Sequence, residues 1–282
     1  MLKKILLMGL CFSSHVWAES VVFNWQHQRV VITETKTKNN RSGQDKTFKI
    51  SYPVELKKHD KGWLVDYGSV KFLEMNGQKL DDDAQSILGN VLGKVSQKAD
   101  IIIDEKGQPI EIVDWQEYLN AMSQVDPKGE QVVNNLKSKS ELETLFYAKT
   151  LTEPWCSWVC QWSDIDFTAQ GSTQQMEDNE FMDYNEQVKY RLVNKINEQL
   201  HLEMHSTMHL KGISSKISLT QVQTKQDRQA IQSEKIARET LLTAIVDSKT
   251  GEPKQVSYHV IIRDGDGKQQ ATETTNYEFD WR

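Results

Sequence analysis

From Gln199 to Lys211 the chain alternates with a strict period of two. Leu200, Leu202, Met204, Ser206, Met208 and Leu210 take the even positions, and His201, Glu203, His205, Thr207 and His209 take the odd ones. Such a run is the signature of a long β-strand with one buried and one wet face. Before it, Val188, Tyr190, Leu192 and Ile196 alternate with Lys189, Arg191, Val193 and Lys195. After it come Ile217 and Leu219, Leu242 to Val246, Val256 to Ile262, and Tyr277, Phe279 and Trp281. The C-terminal part therefore reads as antiparallel strands sharing one apolar face.

Residues 1–18 read as a secretory signal. Lys3 and Lys4 open it, Ile5 to Phe12 form an apolar core, and Val16-Trp17-Ala18 supplies a small-residue cleavage site. The core is too short to anchor a helix across a bilayer, and no later stretch is apolar for long enough to span one. Leu10 before Cys11 argues against a lipoprotein site. The expectation is export to a bacterial periplasm, or secretion, after cleavage near Ala18. Losing Lys3 and Lys4 takes the net charge from −6 to −8. An acidic chain with interspersed signs has no electrostatic reason to bind nucleic acid.

Two cysteines remain after the signal, Cys156 and Cys160. In an oxidising compartment an even pair reads as a disulfide, and C-x3-C is not the spacing of thioredoxin-like redox centres.

The N-terminal part begins as strands too, at Val21 to Thr35, Thr47 to Tyr52 and Trp63 to Leu73, with turns at His59-Asp60-Lys61-Gly62 and Asn76-Gly77. Then the period changes. Ala84, Ile87, Leu88, Val91, Leu92 and Val95 fall on one face of an amphipathic helix, with Asp81, Asp82 and Asp83 in its first turn. Ile101 to Ile103 and Pro109 to Val113 return to strand. Residues 116 to 152 read as helical, and Pro154 ends them before a segment dense in Trp and Cys. The expected organisation is 1–18 signal peptide, 19–115 a β-rich half with one helix, 116–162 a helical insertion, and 163–282 a β meander. Residues 19–282 as one continuous domain is the alternative.

Asp104-x-x-Gly107-x-Pro109 and Asp247-x-x-x-Gly251-x-Pro253 echo one another, either as two ordinary hairpin turns or as marks of two related sheet halves.

Four groups are candidates for chemistry. His201, His205 and His209 share a strand face, but His201 and His209 would lie roughly 26 Å apart at ~3.3 Å per residue, too far for one ion. A solvated polar face is the plainer reading, and no metal or cofactor is expected. Met204 and Met208 point to the opposite face, toward any apolar cavity. Trp155, Trp158 and Trp162 form a heavy apolar load beside the cysteines, either a plug sealing one end of the core, a lid or rim over a ligand cavity, or a partner-binding patch. Asp264-Gly265-Asp266-Gly267 starts like a calcium loop, but Lys268 and Thr275 stand where ligands are needed, so a hairpin turn is expected. No nucleophile elbow, zinc helix, phosphate loop or dinucleotide fingerprint is present, and no enzyme activity is expected.

The fold expectation is α+β: a large, strongly curved, half-barrel-like antiparallel β-sheet with a few amphipathic helices packed on its concave face. The hydrophobic content of 38% fits such a thin architecture better than a thick α/β core. In outline this resembles the half-barrel carriers of exported bacterial proteins, which bind lipids or lipoproteins between sheet and helices. The resemblance is architectural and transfers no residues, and a fold alone does not fix a function. Two functions remain: a binding protein for a hydrophobic or lipid-like ligand, with Trp155, Trp158, Trp162, Met204 and Met208 as its binding residues, or a protein-interaction module in envelope assembly.

Overall fold

The computed structural model describes residues 19–21, 23–40, 45–96, 99–115, 155–162, 165–168, 171–177, 182–213, 237–264 and 266–282. In chain order the elements are β1 (Glu19–Ser20), β2 (Arg29–Asn40), β3 (Asp45–His59), β4 (Gly62–Tyr67), β5 (Lys71–Met75), β6 (Gln78–Lys79), α1 (Asp82–Ser96), β7 (Ile101–Ile103) and β8 (Pro109–Ile112). A single π-turn follows at Cys156–Cys160, then β9 (Asp166–Phe167), β10 (Ser172–Glu177), β11 (Met182–Ile196), β12 (Gln199–Ile213), β13 (Ala237–Asp247), β14 (Pro253–Arg263) and β15 (Gln269–Trp281).

Thirteen strands form one open antiparallel sheet in the order β10-β11-β12-β13-β14-β15-β2-β3-β4-β7-β8, with β5 and β6 branching from β3. Strands from 19–115 and from 163–282 thus share one sheet, joined where β15 runs antiparallel to β2 from Ala271↔Asn40 to Trp281↔Val30. The hairpins are set by local chemistry. Asn197 and Glu198 both adopt positive φ (53° and 48°), the two-residue turn whose twist matches its strands. Asn76-Gly77 does the same between β5 and β6, at 50° and 77°. The Asp104 and Asp247 echo resolves into a shared capping device. Asp104 Oδ1 accepts the backbone N–H of Lys106 and Gln108, and Asp247 Oδ1 those of Lys249 and Thr250. Asp264 does likewise for Asp266 and Lys268, so that loop is a hairpin turn.

In β12, Leu200, Leu202, Met204 and Ser206 are buried, while His205 and His209 are exposed. The inward face begins at the even positions, as the alternation requires. The expected inward set of β11 needs one correction. A bulge at Val193 shifts the register between Leu192↔Leu202 and Asn194↔His201. One extra residue flips every side chain beyond it, so Ile196 is thrown outward and is 50% exposed.

The helix forms where its period predicts, with the backbone N–H of Ala84 donating to Asp81 Oδ1 in its first turn. Its packing differs from the even apolar stripe read from sequence. It sits against β5, Leu80 and Leu88 touch the core, and Ile87 is 63% exposed. The expected helices between 116 and 152, and the strand at Ile217 and Leu219, lie outside the described residues. Those expected helices are also the greater part of what the concave face was expected to carry.

Candidate functional site

The π-turn segment lies on the inner face of the sheet and closes one end of it. Trp155 and Trp158 are 0% exposed and Trp162 is 1% exposed. Trp158 packs edge-on against Phe279 of β15 at 5.2 Å and against Trp155 at 5.1 Å. Trp155 stacks on Trp25 at 5.2 Å, and Trp25 in turn meets Phe23 and Trp281. Aromatic pairs at these separations add about 0.5–1.5 kcal/mol each beyond the area they bury.

Below the tryptophans sits the turn after β7. The Trp155 indole donates to the Gly107 carbonyl at 2.8 Å. Gly107 has φ +80°, and a Cβ there would meet Val159 Cγ1 at 2.7 Å. Only glycine fits both the backbone and the space. Cys156 and Cys160 form a disulfide, with Cα atoms 4.3 Å apart.

A second device ties the segment before β2 to this end. Glu252, buried between β13 and β14, accepts the backbone N–H of Gln26 and His27 on Oε1 at 2.8 and 2.9 Å. Its Oε2 lies 3.0 Å from His27 Nδ1. The Trp281 indole donates to the Pro253 carbonyl at 2.7 Å. Neither Phe23, Trp25 nor Glu252 carries a local sequence signal for this role. Their partners lie far away in the chain: Trp25 meets Trp155 and Trp281, and Glu252 meets His27 at a separation of 225.

Across the sheet, residues opposite one another on neighbouring strands share a face, so the registers define rows. The row that reaches Trp158 through Tyr277, at 6.5 Å, is apolar: Leu202, Ala244, Val256 and Tyr277. It continues onto β2 at Glu34, whose Oε2 accepts the Tyr52 hydroxyl at 3.4 Å. Burial, then the Glu34 charge, pushes that tyrosine well above its ordinary value. The next row runs Tyr190, Met204, Leu242, Tyr258, Thr275 and Lys36. Beyond it come Val188, Ser206, Thr240, Val260, Glu273 and Lys38, then Glu186, Met208, Arg238 and Ile262. The same face therefore turns from hydrocarbon to mixed and charged within about three side-chain pairs.

A pocket of about 250 Å³ opens at that transition. Val188, Met204 and Met208 give it hydrocarbon, Ser206, Thr240, Tyr258 and Arg238 give it polar groups, and Gln161 of the π-turn segment closes one side. The Ser206 hydroxyl donates to the Glu186 carboxylate. Burial, and then the Glu186 charge, raises the Tyr190 phenol above its usual value. At the far side Glu273 takes hydrogen bonds from Lys36 and Lys38. Those bonds outweigh its desolvation and hold its carboxyl below the usual range.

Of the residues singled out in the sequence, Met204 and Met208 line the pocket together. The three tryptophans lie in the core behind it, and Gln161 is what their segment presents to the cavity. His205 lies on the opposite face, in a shallow depression of about 330 Å³ with Glu203, Glu239, Leu241 and His259. Among the described residues no group of three or more His, Cys, Asp or Glu side chains is placed to hold a metal ion. Among them also, no helix is long and apolar enough to cross a membrane.

Fold and site together define an open antiparallel-sheet protein with a pocket on its plugged face. No family model matches the chain, and no curated protein matches it. Among solved structures it is similar to a LolA-superfamily protein from Nitrosomonas europaea, with 9% identity and a TM-score of 0.18 over 92% of this chain and 89% of that one. It is also similar to an N-terminal dehydratase from the difficidin assembly line, with 10% identity and a TM-score of 0.15 over 86% and 76%. Likenesses at those scores carry no argument about this chain.

Proposed function

We propose that this chain is an exported, non-catalytic binding protein for a hydrophobic, lipid-like ligand, soluble after its first eighteen residues are removed near Ala18. The observation that supports the reading is the position of the pocket. It lies where a buried apolar sheet face, backed by a tryptophan plug, gives way to polar rows. Met204 and Met208 are the residues that would face the ligand, and methionine adapts its shape to irregular hydrocarbon. Trp155, Trp158 and Trp162 would serve as the closed wall behind the cavity.

The test is a titration with fatty acids of increasing length, followed by tryptophan fluorescence. Each buried methylene contributes ~0.8 kcal/mol, so affinity should climb with length and then level off as the pocket fills. A flat response would favour the second reading, an interaction module of the cell envelope. That reading draws on the two ends of the sheet, β10 and β8, each of which pairs on one side only among the described residues.

A further inference from the structure

We propose that Arg238 binds an acidic headgroup, so that the pocket takes an amphiphile oriented with its carboxylate or phosphate toward the charged rows and its hydrocarbon against Val188 and Met204. The proposal rests on the hydrophobic-ligand reading and adds to it the chemistry of the head.

Arg238 is half-buried and lines the pocket. Its guanidinium presents a planar fork of donors suited to carboxylate or phosphate. Among the described residues it makes no ion pair and no side-chain hydrogen bond. The other cations of the inner face nearby, Lys36 and Lys38, share Glu273. A cation set between Met208 and Ile262 in the sheet register, with no counter-ion among the described residues, is partly stripped of water without compensation from them.

The acid nearest to it in register does not fill that role. Glu186 stands on the same row with Met208 between them, two strands away or roughly 10 Å at ~4.8 Å per strand. Its carboxylate is taken by the Ser206 hydroxyl. Thr240, buried one row in from Arg238 on the same strand, adds a hydroxyl to the same wall. The pocket therefore offers a cation with no partner among the described residues and a neighbouring hydroxyl, thioether and isopropyl groups, and the Glu186 carboxylate, which is held by the Ser206 hydroxyl. Its volume falls just under the ~300–1,000 Å³ of ordinary small-molecule pockets, so it suits a head and the first part of a chain.

The experiment compares dodecanoate, dodecyl phosphate and dodecanol, with acetate and inorganic phosphate as headgroups lacking a chain. Binding is followed calorimetrically to the wild-type chain and to Arg238→Gln and Arg238→Lys. The wild type should prefer the two acids over the alcohol by about tenfold or more, the scale of one charge-assisted hydrogen bond. Acetate and phosphate alone should bind negligibly, since they lack the chain. Arg238→Gln should bind dodecanol as the wild type does and lose the preference for acids, and Arg238→Lys should keep part of it. Equal wild-type affinity for acid and alcohol would overturn this proposal while leaving the hydrophobic-ligand reading intact. A preference surviving in Arg238→Gln would overturn it too, as would tight binding of inorganic phosphate alone, which would mark a plain anion site. Failure of every chain-bearing probe to bind would sink both readings. Should Arg238→Gln not fold, the wild-type comparison of acid with alcohol still decides.

Discussion

The two ends of the inner sheet face are made from the same strands and obey the same alternation, yet they hold different things. At one end Leu202, Ala244, Val256 and Tyr277 lie under an aromatic stack from three distant parts of the chain. At the other, two rows along, Ser206, Thr240, Glu273 and Lys38 occupy the equivalent inward positions. Period two tells which face of a strand looks inward. It does not tell what covers that face at each level. The end with side chains packed on it is filled core, and the end where charge appears is where a cavity survives.

Five substitutions would break or sharpen that contrast. Trp158→Ala removes the centre of the plug and should lower unfolding stability by about 3–5 kcal/mol in a urea titration. Met204→Asp, one row into the pocket and 5% exposed, buries an unpaired charge and should destabilise by about 3 kcal/mol. Met208→Asp, two rows on and only half-buried, should have a much smaller effect. Equal melting temperatures for these two variants would mean that the two ends are not different environments.

Glu252→Ala strips the acceptor from two backbone N–H groups and should cost about 1–3 kcal/mol, seen as a lower thermal midpoint. Because this carboxylate fixes Gln26 and His27, the residues that follow Trp25, the loss should come with a red-shifted tryptophan emission. The smallest effect is at the charged end. Glu273 has its folded pKa lowered by Lys36 and Lys38, against the opposing desolvation. Its contribution is thus fully present above the ordinary carboxylate range and fades as pH falls through the depressed folded value. For a partly exposed ion pair it should stay under about 1 kcal/mol. Comparing Glu273→Gln with wild type at pH 7 and at low pH measures it: the gap should close in acid.

How much of this could be read from the sequence follows from the range of each interaction. The inward face of β12 was legible because alternation is local, and the helix at 82–96 because its period is local too. The outward turn of Ile196 was not, since a single bulge at Val193 has no signature in composition. The tryptophan cluster was visible as a load of aromatic residues. Its partners Phe23, Trp25 and Trp281 were not, because only the register of β15 on β2 and the Glu252 anchor bring them together. The alternation put Met204 and Met208 on one strand face, opposite the histidines, and both line the pocket. Arg238 escaped notice because one arginine before an apolar run looks like any strand flank. It stands out only once the registers put it on a row with Met208 and Glu186.

The central claim is that the surviving cavity at the charged end holds a lipid-like molecule. Native mass spectrometry of the protein purified gently from its producing cells tests it directly. The account predicts a population carrying an extra mass in the range of a lipid, lost on mild organic extraction and diminished in Met204→Gln. A single lipid-free species across gentle preparations, with wild type and Met204→Gln indistinguishable, would contradict it.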